Sequence, residues 1–530
     1  MKIVRTPLFF GPDERSLFGW FHAPPVNTRR DLAIVLCPPL GHEYVNAHRS
    51  VRHLADRLAA SGVAALRFDY HGTGDSSGRD EDPGRVAAWI QSVREARLTL
   101  HELSGCERIG LVGLRFGALL AALAASESQV ACLGLWGPVT RGRSYVRELK
   151  ALHLTGGRTS DEGQLEPGGF VFTEETLRDL GALEPRTPRT GLIRTFPAPP
   201  ETFDPPHSAV VPFDTIDAIV QWVGEGTPFS SAPLPVVSPR REQQHDGIRE
   251  SLVDLHGIFG IVSEPTSGAH GPLVVMPNAG ATHHAGPNRL YVLLARSLSR
   301  AGFRCLRLDL PGLGDSVLDD PSKENDVYPP NTTVLLERAM RAMQATDCVS
   351  MGLCSGAHAS FHAALESDAP IVESILINPL TFYYQRGMSL DQPARQYGEW
   401  QWYMRSVRRF DRWAKLLRGE VRLRAVLRAV VQRLRDEVGT LRRKRGAQDL
   451  DGDLLRLAAF GKRITFVFSR FDPGYDILMF NARPAVRRLR RQGSLKLWRI
   501  DDADHTFQTR KSREAMIDSV REHLVQRYPH

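Results

Sequence analysis

The chain repeats itself, and the repeat constrains its fold more than any other feature. Ile34-Val-Leu-Cys-Pro-Pro-Leu-Gly41 has a counterpart in Leu273-Val-Val-Met-Pro-Asn-Ala-Gly280. Leu66-Arg-Phe-Asp-Tyr-His-Gly-Thr-Gly-Asp-Ser76 matches Leu306-Arg-Leu-Asp-Leu-Pro-Gly-Leu-Gly-Asp-Ser316. Ile109-Gly-Leu-Val-Gly-Leu-Arg-Phe-Gly117 matches Val349-Ser-Met-Gly-Leu-Cys-Ser-Gly356, one residue shorter. The offsets are 239, 240 and 239 residues, so order and spacing are both kept. A chain of 530 residues that carries one pattern twice is expected to build one fold twice.

Within each copy, short apolar runs alternate with amphipathic segments. Ala33–Cys37 and Val63–Phe68 have strand length. Between them Val51–Ser61 has helical spacing, with Leu54, Leu58 and Ala59 on one face and Gly62 at the end. The order recurs as Leu273–Met276, Leu290–Arg300 and Phe303–Leu308. Buried strands alternating with helices predict an α/β fold, in which each copy is a mostly parallel sheet flanked by helices. The expected organisation is a first domain over 1–226, a Pro- and Ser-rich connection over 227–246, and a second domain over 247–530 with a long helical insert at 383–462.

Composition narrows the class. With 42% hydrophobic and 24% charged residues the chain is globular, and no apolar run reaches the ~20 residues of a bilayer span. Asp13, Glu14 and Arg15 interrupt the stretch where a secretory apolar region would lie, so a cytoplasmic location is expected. Cys37, Cys106, Cys132, Cys305, Cys348 and Cys354 form no C-x-x-C pair, and five read as small buried residues.

The sixth cysteine differs. At Gly352-Leu353-Cys354-Ser355-Gly356 a strand passes into a helix through G-x-C-x-G, where small residues flank a sharp turn with the middle residue at its tip. This resembles the nucleophile elbow of the α/β-hydrolase superfamily, with cysteine in place of the usual serine. Both halves resemble hydrolases of the serine-aminopeptidase or lysophospholipase-like type. The first half also resembles the hydrolases associated with exosortase systems, through Cys37-Pro38-Pro39, His71-Gly72-Thr73-Gly74-Asp75-Ser76 and Gly168-Gly169-Phe170.

The resemblance implies a nucleophile–acid–base triad in that chain order. Asp472 follows the apolar run Ile464–Ser469 where the family keeps its acid, and His505 follows Leu497–Ile500 where it keeps its base. Cys354, Asp472 and His505 are therefore the expected triad, with Asp476 and Asp504 as rival acids and Ser355 as a rival nucleophile. The backbone N–H groups of Ser355 and Ala279 are the expected oxyanion donors. A free thiol of pKa about 8.5 is only partly ionised at neutral pH, so His505 would take its proton and Asp472 would hold the imidazole. His283 and His284, in the turn beyond Ala279, read as solvent-facing loop histidines.

The first copy lacks this set. Its elbow tip is Arg115, which stays protonated and cannot attack a carbonyl. The strand-like Leu192–Phe196 runs into Pro197-Ala198-Pro199-Pro200 with no aspartate, and His207 reads as a relic of the base. The expected role is a scaffold, with carboxylate or phosphate binding at Arg115 as the alternative.

Charge is concentrated in the insert. Arg405–Arg445 holds 15 Lys or Arg against 4 Asp or Glu, a balance of +11 in a chain of +8, so the remainder is slightly acidic. Arg405, Arg408, Arg409 and Arg412 are expected to meet a polyanion: an acidic acyl carrier protein, coenzyme A phosphates, or anionic lipid at a membrane surface. No groove-reading module suggests nucleic acid, no metal or cofactor is called for, and the oligomeric state is left open.

A cysteinyl thioester keeps an acyl group transferable, and cysteine at this elbow resembles that of polyhydroxyalkanoate synthases and aminoacyl-shuttling transferases. The expected function is an acyltransferase or thioesterase acting on thioester-bound acyl groups, carried by an acyl carrier protein or coenzyme A, in a biosynthetic pathway. The alternatives are a carboxylester hydrolase or serine-aminopeptidase-like hydrolase, and a non-catalytic tandem scaffold.

Overall fold

The computed structural model describes residues 3–25, 28–155, 163–231, 233–318, 320–385, 388 and 449–529. It separates into two units, one of Met1–Val327, Ala342–Asp347 and Thr506–His530, the other of Tyr328–Arg341 and Cys348–His505.

In the first unit, β1 (Val4–Phe10), β2 (Leu17–Ala23), β3 (Ala33–Cys37), β4 (Ala64–Phe68), β5 (Ile109–Leu114), β6 (Leu133–Trp136) and β7 (Ile193–Phe196) form one sheet. Its order is β1-β2-β4-β3-β5-β6-β7. β2 pairs antiparallel with β1 and β4, and the remaining pairs are parallel. Side chains alternate across this sheet, as strand geometry requires. Ala33, Val35 and Cys37 join one apolar cluster with Trp89, Val93 and Leu120, while Ile34 and Leu36 join another with Leu54, Leu58 and Ile219. Both faces are thus covered by helices, among them Arg85–Ser104 and Phe116–Glu127 on one side and His48–Ala60 and Phe213–Gly224 on the other.

The same unit holds β8 (Glu242–His245), β9 (Ile248–Asp254), β10 (Phe259–Pro265), β11 (Leu273–Met276) and β12 (Cys305–Leu308). Their order, β11-β12-β10-β9, repeats β3-β4-β2-β1, with β8 added beyond β9. Pairing repeats as well: β11 and β12 are parallel, whereas β10 runs antiparallel to both β12 and β9. β8 falls inside the stretch read from sequence as a connection. Its Gln243 is buried and donates to the Asp75 carbonyl at 3.2 Å and to Glu250 at 2.8 Å.

The two Asp-containing turns explain their shared motif. Ser76 Oγ donates to the Asp69 carbonyl at 2.7 Å and accepts from the Phe18 N–H at 2.9 Å. Ser316 Oγ does the same with Asp309, at 2.5 Å, and with the Phe259 N–H, at 2.7 Å. The next layer is exchanged between copies. Arg67 pairs with Asp315, and Arg307 Nη1 pairs with Asp75 Oδ1 at 2.5 Å. Each arginine of one copy thus neutralises the aspartate of the other, and all four side chains are buried.

In the second unit β13 (Cys348–Leu353), β14 (Ile371–Ile377), β15 (Arg463–Ser469) and β16 (Leu495–Ile500) pair in parallel, in chain order. The helix Ser355–Glu366 follows β13 and Pro473–Arg491 follows β15. Among the described residues, no helix is long and apolar enough to cross a membrane.

Candidate active site

Cys354 ends β13 and precedes the helix Ser355–Glu366 with φ 58° and ψ −115°, a left-handed conformation that a side-chain-bearing residue adopts only under constraint. The constraint is packing: a Cβ on Gly352 would lie 2.2 Å from the Gly356 carbonyl carbon, so strand and helix meet too closely for any larger residue there. Cys354 is partly exposed, whereas the other five cysteines are buried.

Asp472 lies just past β15 and works at both oxygens. Its Oδ1 accepts from the Gly474 N–H at 2.8 Å, capping the helix Pro473–Arg491, and its Oδ2 meets His505 Nδ1 at 2.6 Å. The cap fixes the carboxylate, and the carboxylate fixes the imidazole. A side chain on Gly474 would strike the Pro379 carbonyl at 2.4 Å, which explains glycine there. Of the rival acids, Asp504 contributes its carbonyl to Ser469 Oγ at 2.6 Å, and Asp476 lies inside the helix that Asp472 caps.

With Nδ1 on Asp472, His505 Nε2 has no nitrogen or oxygen partner among the described residues and is left to the Cys354 thiol. Burial alone would push the imidazole pKa down, but the bonds to Asp472 and Cys354 outweigh it and hold the ring well above its ordinary value. The side chain of His505 is about a third exposed, although its Nε2 is itself buried.

Sequence reasoning missed the brace behind this pair. Asn378, directly after β14 with φ 44°, donates to the His505 carbonyl at 2.8 Å and to Ser469 Oγ at 2.8 Å, and accepts from the Ser469 N–H at 2.8 Å. The Asn378-Pro379 step after an apolar run was the available signal, since Asn tolerates left-handed backbone. Tyr328 adds an aromatic wall. It stacks on Tyr384 at 4.3 Å and meets His358 edge-on at 5.0 Å; burial, with Cys354 and Tyr384 nearby, pushes its phenol pKa up.

A thiol at a strained tip, a capped carboxylate and an imidazole have come together on the loops after β13, β15 and β16. Residues 256–518 match the Alpha/beta hydrolase family. Solved structures with the hydrolase fold are also similar. Dienelactone hydrolase from Anabaena variabilis ATCC 29413 aligns at 13% identity over 55% of this chain and 99% of its own, with a TM-score of 0.32. Est1E from Butyrivibrio proteoclasticus, with ferulic acid bound, aligns at 17% identity over 41% and 96%, with a TM-score of 0.31. A putative lipase from Acinetobacter baumannii AYE aligns at 14% identity over 53% and 92%, with a TM-score of 0.33. At such scores these likenesses add nothing to the functional assignment. No curated protein matches the sequence.

The remaining expectations fall in three places. Ser355 opens the helix that follows the Cys354 turn, and the N-terminal end of that helix favours negative charge. Ala279 belongs to the first unit, in the turn after β11, where its carbonyl accepts from the Thr282 N–H at 3.2 Å. Arg405, Arg408, Arg409 and Arg412, with most of the insert, lie outside the described residues.

Two expectations are corrected. His283 and His284 are not solvent-facing but 3% and 1% exposed. His284 Nδ1 meets Asp309 Oδ2 and its Nε2 meets Asp75 Oδ2, both at 2.8 Å. Burial opposes a charge on the ring, but the two carboxylates push its pKa up to about 10. His284, Asp309 and Asp315 carry metal-ligand atoms within 4.8 Å of one another, but Arg67 already pairs with Asp315 and two carboxylates already hold His284. Arg115 is likewise not an open anion receptor: its Nε meets Glu43 Oε1 at 2.8 Å and its Nη2 meets Glu148 Oε2 at 2.5 Å.

Proposed function

We propose that the Cys354 site is that of an acyl hydrolase working through an acyl-cysteine intermediate on carboxylic esters or thioesters. The observation that carries this reading is the His505 Nδ1–Asp472 Oδ2 bond of 2.6 Å, which leaves Nε2 to the thiol at the elbow tip. A scaffold would have no need of a strained, partly exposed cysteine beside an imidazole held by a carboxylate.

The chemistry follows from the three side chains. His505 Nε2 takes the thiol proton, and Asp472 stabilises the resulting imidazolium. The thiolate adds to the substrate carbonyl, and the oxyanion draws on the N–H of Ser355 at the helix N-terminus, with Ala279 proposed as the second donor. Collapse expels the alcohol or thiol, protonated by His505, and leaves a thioester on Cys354. The neutral His505 then deprotonates a water, which attacks the thioester and releases the acid.

The sulfur itself favours a second reading, transfer. A thioester keeps the acyl group nearly as reactive as an incoming acyl thioester, so an amine, alcohol or thiol could take the place of water. A carrier protein or coenzyme A as donor, docking on the basic insert, belongs to this reading, and the first copy is then the non-catalytic partner.

Turnover of p-nitrophenyl butyrate and butyryl-coenzyme A, with and without an added amine or thiol acceptor, tests both. Wild type should release butyrate, and Cys354→Ala should not. A butyryl product on the acceptor that shifts toward free butyrate in Cys354→Ser supports transfer. A serine variant as active as wild type, with an unchanged product ratio, supports plain hydrolysis.

A further inference from the structure

The first elbow has lost its nucleophile but keeps a cavity of about 680 Å³, roomy enough for an organic molecule rather than a bare ion. Its walls include Pro138, Phe196, Pro197, Ala198 and Phe203, and among the described residues Arg115 and Glu43 are its charged lining residues. Sequence alone favours a scaffold, with an anion site as the alternative because a guanidinium stands at the tip.

The charges argue otherwise. Arg115 is shared between Glu43 and Glu148, so one cation faces two carboxylates and the cluster carries a net charge of −1. Glu43 is buried, at 6% exposure, yet only Oε1 is satisfied, by Arg115 Nε; Oε2 has no hydrogen-bond partner among the described residues. A buried carboxylate oxygen without a donor is costly, about 1–3 kcal/mol or more. Burial pushes the Glu43 carboxyl pKa up despite Arg115, as expected where positive charge is short. Aromatic surface completes the environment: Phe203 lies 5.8 Å from the Arg115 guanidinium carbon, already in a cation–π arrangement, and Phe196 lines the same cavity.

We infer that the first elbow is a binding site for an organic ammonium, a primary amine on an apolar body, with Glu43 taking the charge and Phe203 and Phe196 the hydrocarbon. A carboxylate or phosphate would have to displace Glu148 and still leave Glu43 beside it. An amine adds the missing donor and brings the cluster to neutrality. The site is independent of the chemistry at Cys354.

The test uses the full chain carrying Cys354→Ala, so that no turnover at the second elbow consumes or acylates a probe. Calorimetric titration with 2-phenylethylamine, 2-phenylethanol and 3-phenylpropionate compares one body with three heads. The amine should bind at least tenfold more tightly than the alcohol, and the carboxylate should give no heat. Glu43→Gln should weaken amine binding more than tenfold. Phe203→Ala, which leaves the ion pairs intact, should weaken it several-fold, so the site stays testable if the Glu43 variant unfolds. No amine binding at millimolar concentration, a carboxylate that binds as well as the amine, or amine binding untouched by both substitutions would each overturn the inference.

Discussion

At Arg115 the chain turns from strand to helix with φ 54° and ψ −118°; at Cys354 it does so with φ 58° and ψ −115°. The two backbones are alike to within a few degrees, and their glycines show why. A Cβ on Gly113 would lie 2.4 Å from the Gly117 carbonyl oxygen, as one on Gly352 would meet Gly356. Packing of strand against helix dictates the turn, and the tip residue accepts the strain. The surroundings differ instead. Behind Cys354 stand Asp472, His505 and the Asn378 brace, whereas β7 ends at Phe196 and continues into Pro197 with no acid, and His207 is exposed. The two tips share one geometry, and the second also has an acid–histidine pair behind it.

The comparison can be broken most directly at the tips. Cys354→Ala should lower ester turnover by about 10⁴-fold or more, whereas Arg115→Ala should leave it within about twofold, measured as kcat/KM on the same ester. Arg115→Cys should gain no activity when paired with Cys354→Ala, because residues 197–200 supply no counterpart of Asp472 and His207 is exposed. Asp472→Asn should cost about 10²–10⁴-fold in kcat, since the amide cannot stabilise the imidazolium. It should also lower the pKa read from the acid limb of the kcat/KM profile, because the carboxylate is one of the groups that raise His505.

A second set of changes probes what the copies share. Arg307→Met strips Asp75 of its buried cation and should destabilise the fold by about 3–5 kcal/mol, read by urea denaturation. The Arg67→Met variant should do the same at Asp315, while the double variant Arg307→Met with Asp75→Asn should recover part of the loss. A smaller effect belongs to pH. His284 has a folded pKa of about 10 against an ordinary 6.5, so its folded form holds the extra proton. Its contribution is complete below pH 6.5 and is lost as pH rises toward 10. Stability should therefore fall over that window, and His284→Gln should flatten the fall; an unchanged slope in the variant would place the titration elsewhere.

How much of this was legible follows from the range of each signal. The helix Leu290–Arg300 and the strands Ala33–Cys37 and Leu273–Met276 appear as read, because periodicity and bounding glycines act locally. The Asp472–His505 contact was legible because the α/β-hydrolase resemblance placed an acid and a base after identifiable strands, and the repeat located the turn at Cys354. The exchanged ion pairs were not: Arg307 and Asp75 are 232 residues apart, and a buried arginine looks in sequence like any surface one. His283 and His284 were misread for the same reason, since a loop histidine is usually wet and only the paired carboxylates of two distant turns keep this one dry. β8 was hidden in a Pro- and Ser-rich stretch because four polar-looking residues, Glu242–His245, pair with β9 at the sheet edge without any apolar pattern.

The central claim is that Cys354 forms a covalent bond to the acyl group. Brief incubation with p-nitrophenyl acetate, acid quench and intact-protein mass spectrometry with peptide mapping read this in one experiment. A single added acetyl group on the peptide containing Cys354, lost on neutral hydroxylamine treatment and absent in Cys354→Ala, is the predicted result. Steady turnover with no adduct on that peptide, or an adduct that persists in Cys354→Ala, would contradict it.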